Sequence, residues 1–206
     1  MALAAVAVVA LTGCGGSANT PPAPAATPAP DAVAGLTPAQ ARQALLTVTD
    51  LPLGFQAQDA APDPAALGCP GVDQVYLPAG TAARAAVSFG HSVSAAFVNE
   101  TISSRPGGGA ADALAAFARA DRDCSRFTGP DGTRYEVSPL RLPRYGDGSA
   151  AVRVSAALDE ARPVDLVAVR VGDTLVAVAA AGAGTEEAEL TRTVVDRALA
   201  KLARST

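Results

Sequence analysis

Three thiols and one imidazole are the side chains of this 206-residue chain best suited to nucleophilic or metal chemistry: Cys14, Cys69, Cys124 and His91. Any Ser-His-Asp or Cys-His hydrolase scheme must run through His91, the one imidazole. No GxSxG elbow accompanies it, so His91 is expected as a core or edge histidine of a strand. Metal binding by Cys69 and Cys124 lacks CxxC or histidine-rich spacing. "RPGGGAAD" places glycines before a helix N-terminus but lacks the Lys-Ser/Thr ending of a phosphate loop, and reads as a flexible loop. Asp131 and Asp147 each stand beside glycine, yet a calcium site draws about six or more oxygens from several carboxylates, so both read as turns. Asn99-Glu100-Thr101 has sequon spacing. Arg134, Arg141, Arg144 and Arg153 lie close in sequence, with Tyr135 and Tyr145 interleaved. Gathered on one sheet face, they form the candidate site for an anionic headgroup or glycan. Strand alternation can equally turn them outward as solvated charge. No metal or other cofactor is implied.

The chemistry of Cys14 is of another kind. The chain begins "MALAAVAVVALTGCGGSANTPPAPAATPAP". Residues 2–11 form an apolar run of signal-peptide length, too short for the roughly 20 apolar residues of a spanning helix. "LTGC" resembles the bacterial lipobox, in which diacylglycerol is attached to the cysteine sulfur and the bond before that cysteine is cut. No Lys or Arg precedes the apolar run, a departure from the usual leader that would follow if the start codon were assigned too late. A Pro/Ala/Gly-rich stretch follows, of the kind that tethers a folded domain to an anchor. Residues 1–13 are therefore expected as a lipoprotein signal peptide, 14–36 as tether and 37–206 as the folded domain. Two or more acyl chains on Cys14 suffice for stable attachment to a membrane, and place the domain on its extracytoplasmic face. In that oxidising setting Cys69 and Cys124 are left as an even pair, expected to form a disulfide, with two separate buried thiols as the alternative.

Composition narrows the partners. The net charge is −4, and of sixteen basic residues only Lys201 is a lysine. Arginines are scattered among carboxylates rather than gathered into a stripe, which excludes a nucleic-acid binder. No basic cluster follows the apolar start either, so a polybasic membrane patch is absent.

The elements that must position these residues read as α+β. "LTPAQARQALLTVTDLP" predicts a helix capped by Thr37, with Pro38 at its first position and an end at Asp50-Leu51-Pro52. Residues 54–72 read as irregular and 73–78 as a short strand. "AAVSFGHSVSAAFVNETI" alternates with Val87, Phe89, His91, Val93, Ala95 and Phe97 on one face, predicting one long half-buried strand, with Gly90 as a possible break. "AADALAAFARADRDC" predicts a helix presenting Leu114, Phe117 and Cys124. "TRYEVSPL", "SAAVRVSAAL", "PVDLVAVRV" and "TLVAVAAAG" predict an antiparallel meander, with a tight turn at Gly172-Asp173. A last helix, capped by Thr185 and favoured by Glu186 and Glu187, carries the apolar stripe Leu190, Val194, Val195, Leu199 and Leu202. The expectation is a single domain: an antiparallel β-sheet with helices packed on a face, behind a lipoprotein signal and tether.

"LLTVTDLPLGF", "CPGVDQVYLPAG", "FARADRDC", "YGDGSAAVRV" and "DLVAVRVGDTLVAVAA" together give the chain a likeness to actinobacterial lipoproteins. Over residues 37–204 it resembles the extracellular sensor domain of mycobacterial PknH-type serine/threonine kinases. The chain lacks the aromatic residue expected near the second cysteine and holds cysteines for one bridge. The resemblance implies an antiparallel sheet with helices, a cleft, and a non-enzymatic role as a sensor binding a ligand or protein of the cell envelope. The alternatives are a lipid carrier or an accessory protein of an envelope complex, for which a Mog1/PsbP-like domain gives a similar element order, and, last, an envelope hydrolase.

Overall fold

In the computed structural model the residues described are 35–59, 66–77, 79–157, 162–182 and 187–205. Cys14, the tether as far as residue 34 and the Thr185 cap lie outside them; Leu36, expected as the end of the tether, is instead buried in the core. Thr37 starts α1 (Pro38–Ala44) as expected: its hydroxyl accepts the Gln40 N–H at 3.2 Å, and the Gln40 side chain returns the bond to the Thr37 N–H. The helix stops at Ala44 rather than at Asp50. Beyond it Leu45 is extended, and Thr47 and Asp50 cap a separate 3-10 turn, Val48–Asp50.

Strand β1 (Phe55–Gln58) follows, inside the segment read as irregular. Of the strand expected over residues 73–78, the described part is not a strand: helix α2 spans Pro70–Tyr76. Pro70 opens it, and the Asp73 carboxylate accepts the N–H groups of Leu67 and Gly68 at 2.7 and 3.2 Å. Val72 and Val75 lie buried one turn apart, a helical spacing. The expected long strand is two, β2 (Ala83–His91) and β3 (Phe97–Ser104), joined by a hairpin in which the His91 N–H donates to Ala96 O. The turn reverses the alternation, so Phe97 faces away from Phe89, and Val93 stands 87% exposed at the tip. Helices α3 (Gly109–Phe117) and α4 (Ala120–Asp123) lead to β4 (Arg126–Thr128). The expected meander is present as β5 (Arg134–Pro139), β6 (Gly148–Ala156), β7 (Val164–Val171) and β8 (Thr174–Ala181), before helix α5 (Glu187–Leu202).

The eight strands form one antiparallel sheet in the order β1-β2-β3-β8-β7-β6-β5-β4. From β3 the chain crosses one face through α3 and α4, reaches the far edge at β4, and returns strand by strand until β8 pairs with β3. The sheet is α+β as expected, but helices cover both faces. One core joins α1 and α5 to Phe89, Val98, Ile102, Val167 and Val176; Val194, Val195 and Leu202 of α5 are buried in it. The other joins α2, α3 and α4 to Val152, Leu166, Ala168, Leu175 and Ala177. Burial on both sides explains why every residue of β8 is buried and why "TLVAVAAA" is apolar without a break.

Cys69 precedes α2 and Cys124 ends α4, and the two form a disulfide with Cα atoms 5.7 Å apart. The bridge ties together two of the three helices of the second face. Gly71 lets α2 approach α3 closely, since a Cβ there would press on the Ala116 carbonyl.

Candidate functional site

The four arginines do not converge. Arg134 is exposed at the start of β5, beside a cleft of about 440 Å³ lined by the stacked rings of Phe127 and Tyr135. Arg141 and Arg144 are exposed in the loop between β5 and β6. Arg153 is committed to the fold: its guanidinium grips Asp165 with bonds of 2.7 and 3.1 Å. Asp165 is fully buried and also accepts from the Thr191 hydroxyl of α5 at 2.9 Å. The anionic-ligand site expected from these four arginines is therefore not assembled: Arg153 is taken up by Asp165, and Arg141 and Arg144 stand in the loop beyond the strand that carries Arg134.

The loop motifs are equally structural. Asp147 accepts the Gly172 N–H at 2.7 Å, tying two turns, and Asp131 accepts from the Thr133 backbone and hydroxyl. Those two bonds from Thr133 hold the Asp131 carboxyl below its ordinary range. In "RPGGGAAD", Arg105 is buried, donating to Leu77 O at 2.9 Å and Ser103 Oγ at 3.3 Å. Asn99-Glu100-Thr101 lies in the middle of β3, paired with β2 and β8. Among the described residues no three potential ligands cluster to hold a metal.

A second cleft, of about 460 Å³, lies at the β1–β2 end of the sheet. Pro52, Leu53 and Phe55 form one wall, the β2–β3 hairpin residues His91, Ser94 and Ala96 the floor, and Glu189, Leu190 and Thr193 of α5 the other wall. Phe55 meets the His91 ring edge-on, with centroids 5.3 Å apart, across the register pair that joins β1 to β2. The His91 Nδ1 accepts the Val93 N–H at 3.4 Å. Among the described residues no serine hydroxyl or carboxylate is hydrogen-bonded to it. Leu53, 98% exposed, and Val93 stand on the two loops beside the mouth, held together by the Ser92 N–H donating to Gly54 O.

Gly54 underlies this geometry. Its φ of +98° is left-handed, and a Cβ there would run into the His91 imidazole. Gly54→Ala is expected to cost about 1–3 kcal/mol and to displace the ring. Gly80→Ala is the comparison, since Gly80 has φ of +72° but open space around it. Chemical denaturation of both, with imidazole proton spectra, measures the excess; equal costs and an unmoved ring overturn the assignment.

The sequence reading missed two further residues. Asp165 and Glu100 are buried acidic groups in otherwise apolar strands, and a lone carboxylate inside "PVDLVAVRV" is itself a signal that a partner must be buried with it.

No family model and no curated protein sequence matches the chain. Among solved structures it is similar to the extracellular domain of PknH from Mycobacterium tuberculosis, with a TM-score of 0.61 and 13% identity over 83% of this chain and 97% of that one. The likeness supports the α+β architecture expected from the resemblance and extends no further than the fold.

Proposed function

We propose that the chain is a lipid-anchored, extracytoplasmic, non-enzymatic binding module, with Cys14 as anchor and the cleft between β1, the β2–β3 hairpin and α5 as its ligand site. The observation that carries this reading is the lining. Leu53, Phe55, Ala96 and Leu190 supply apolar surface, and among the described residues that line the walls Glu189 carries the one formal charge and none is Lys or Arg. The volume falls within the roughly 300–1,000 Å³ usual for small-ligand sites. Such a site favours an apolar group carrying a cationic or neutral hydrogen-bonding head over an anion. No helix among the described residues is long and apolar enough to cross a membrane, which accords with attachment through Cys14.

Decylamine and decanoate test the reading, since they share a tail and differ in the sign of the head. Calorimetric titration of the purified chain is expected to show decylamine binding about tenfold more tightly, a difference of about 1.4 kcal/mol. Glu189→Gln is expected to remove the discrimination, and Thr193→Trp, which fills the cleft, to abolish both. Binding of neither probe, or binding untouched by Thr193→Trp, rejects the site. Lipid co-purifying with the native protein, visible in native mass spectra, would instead favour the carrier alternative.

A further inference from the structure

Glu100 is fully buried in the middle of β3, and the cleft does not use it. Its register partners on β2 and β8 are Val87 and Val178, both apolar. One carboxyl oxygen, Oε2, accepts the Leu46 N–H at 2.6 Å, at the point where the chain leaves α1. The other, Oε1, has no hydrogen-bond partner among the described residues. Two charged groups act on the carboxyl from the elements above it: Lys201 of α5, and Asp50 of the 3-10 turn. These two are clamped to each other at 2.8 Å, and Asp50 also accepts from Thr47. The chain then runs directly from Asp50 into Pro52 and Leu53, the wall of the cleft.

The chemistry of this arrangement depends on one proton. A carboxyl cut off from water with an unmet oxygen is costly when charged and comfortable when neutral. Ionised, it is relieved by water reaching Oε1, and water reaches Oε1 when the Leu46–Asp50 segment lifts from the sheet. We propose that Glu100 is a proton-operated latch: protonated, it lets residues 46–55 lie closed on the sheet, and ionised, it loosens them and with them one wall of the cleft. The latch itself is independent of any ligand; its significance for binding rests on the cleft reading above.

Burial pushes the Glu100 carboxyl up to about 7, against the opposing pull of the Leu46 N–H and Lys201 and with a further push from Asp50. A carboxyl raised from its ordinary value of 4.5 favours the closed state fully below 4.5, and that preference is lost as pH rises through about 7. Asp50 behaves oppositely. Partial burial pushes it up, but Lys201 and the Thr47 hydroxyl and N–H outweigh burial and hold it at about 2, so Asp50 stays ionised throughout this range and its pairing with Lys201 adds no pH dependence of its own to the opening.

The test follows the Leu46 amide of the isotope-labelled full chain by NMR from pH 4.5 to 8.5, without ligand. A His91→Asn background removes the one imidazole of the chain. The Leu46 resonance is expected to titrate with a midpoint near 7. Exchange-competent opening of residues 47–55 is expected to rise tenfold or more, bounded at about 300-fold by the linkage. Glu100→Gln, neutral and of the same shape, is expected to abolish the transition. A Leu46 shift that is flat, that titrates below pH 5, or that persists in Glu100→Gln overturns the latch. Titration of Leu46 with constant exchange at residues 53–55 overturns its connection to the cleft. Failure of the amine to bind leaves all these readouts untouched, so the two proposals fail separately.

Discussion

Arg153→Ala is expected to destabilise the domain by about 3 kcal/mol, at the low end of what breaking a buried ion pair costs. The guanidinium is about one-third exposed, but its partner Asp165 is completely buried. Removing the arginine strands a carboxylate beneath α5, with the Thr191 hydroxyl as its remaining named donor. The charge then has to draw in water or a proton, and either loosens α5 from β7. Arg153→Met with Asp165→Leu removes both charges and is expected within about 1.5 kcal/mol of the parent, because matched apolar groups leave no buried charge, at the cost of the Thr191 bond to Asp165. Urea denaturation of the single and double variants decides the matter. A stable Arg153→Ala that loses ligand affinity would return Arg153 to the role its sequence neighbourhood suggested.

The second large effect concerns the bridge. Converting Cys69 and Cys124 to serine opens a loop with a sequence separation of 55 residues. In the chain-entropy model that loss is worth about 4 kcal/mol, since the reduced unfolded chain regains the freedom the link removed. For a domain of this size the melting temperature is expected to fall by about 8–16 °C. The effect should centre on α2 and α4, whose ends the bridge joins. Melting curves with and without reductant give the parent value, and the double serine variant should show no further response to reductant. A change under about 1 kcal/mol would falsify the entropic account.

Where turn residues bound apolar runs, where apolar residues recur at helical spacing, or where a cap has its own side-chain chemistry, the chain could be read directly. The Thr37 cap, the β5–β8 meander and the α5 stripe are cases, each specified within a few residues of itself. The misreadings have equally local causes. "DQVYLP" alternates well enough for a strand, but Pro70 and the Asp73 carboxylate commit it to helix, an effect visible only once Leu67 and Gly68 are seen donating to Asp73. The β2–β3 hairpin was hidden because "HSVSAA" carries no Asn-Gly signal and its alternation runs on past the turn in register.

The candidate site was less accessible. The arginines attracted attention as a cluster in sequence, yet Arg153 is held in a pair with buried Asp165, while Arg134 is exposed at the start of β5 and Arg141 and Arg144 in the loop after it. Nothing about Phe55, His91 and Leu190 relates them in sequence. They meet because β1 pairs with β2 and because α5 returns over that end of the sheet.

From the amino acids alone came the α+β class, the cysteine pairing, and the expectations of an anchored domain and of a partner other than nucleic acid. These follow from composition, short-range periodicity and parity of thiols, which are properties of the chain before it folds. The second helical layer, the cleft and the isolation of Glu100 were decided by tertiary structure, because burial and desolvation belong to the neighbours a residue acquires. A carboxylate in "FVNETISS" has no unusual chemistry until Leu46, Lys201 and two valines close around it.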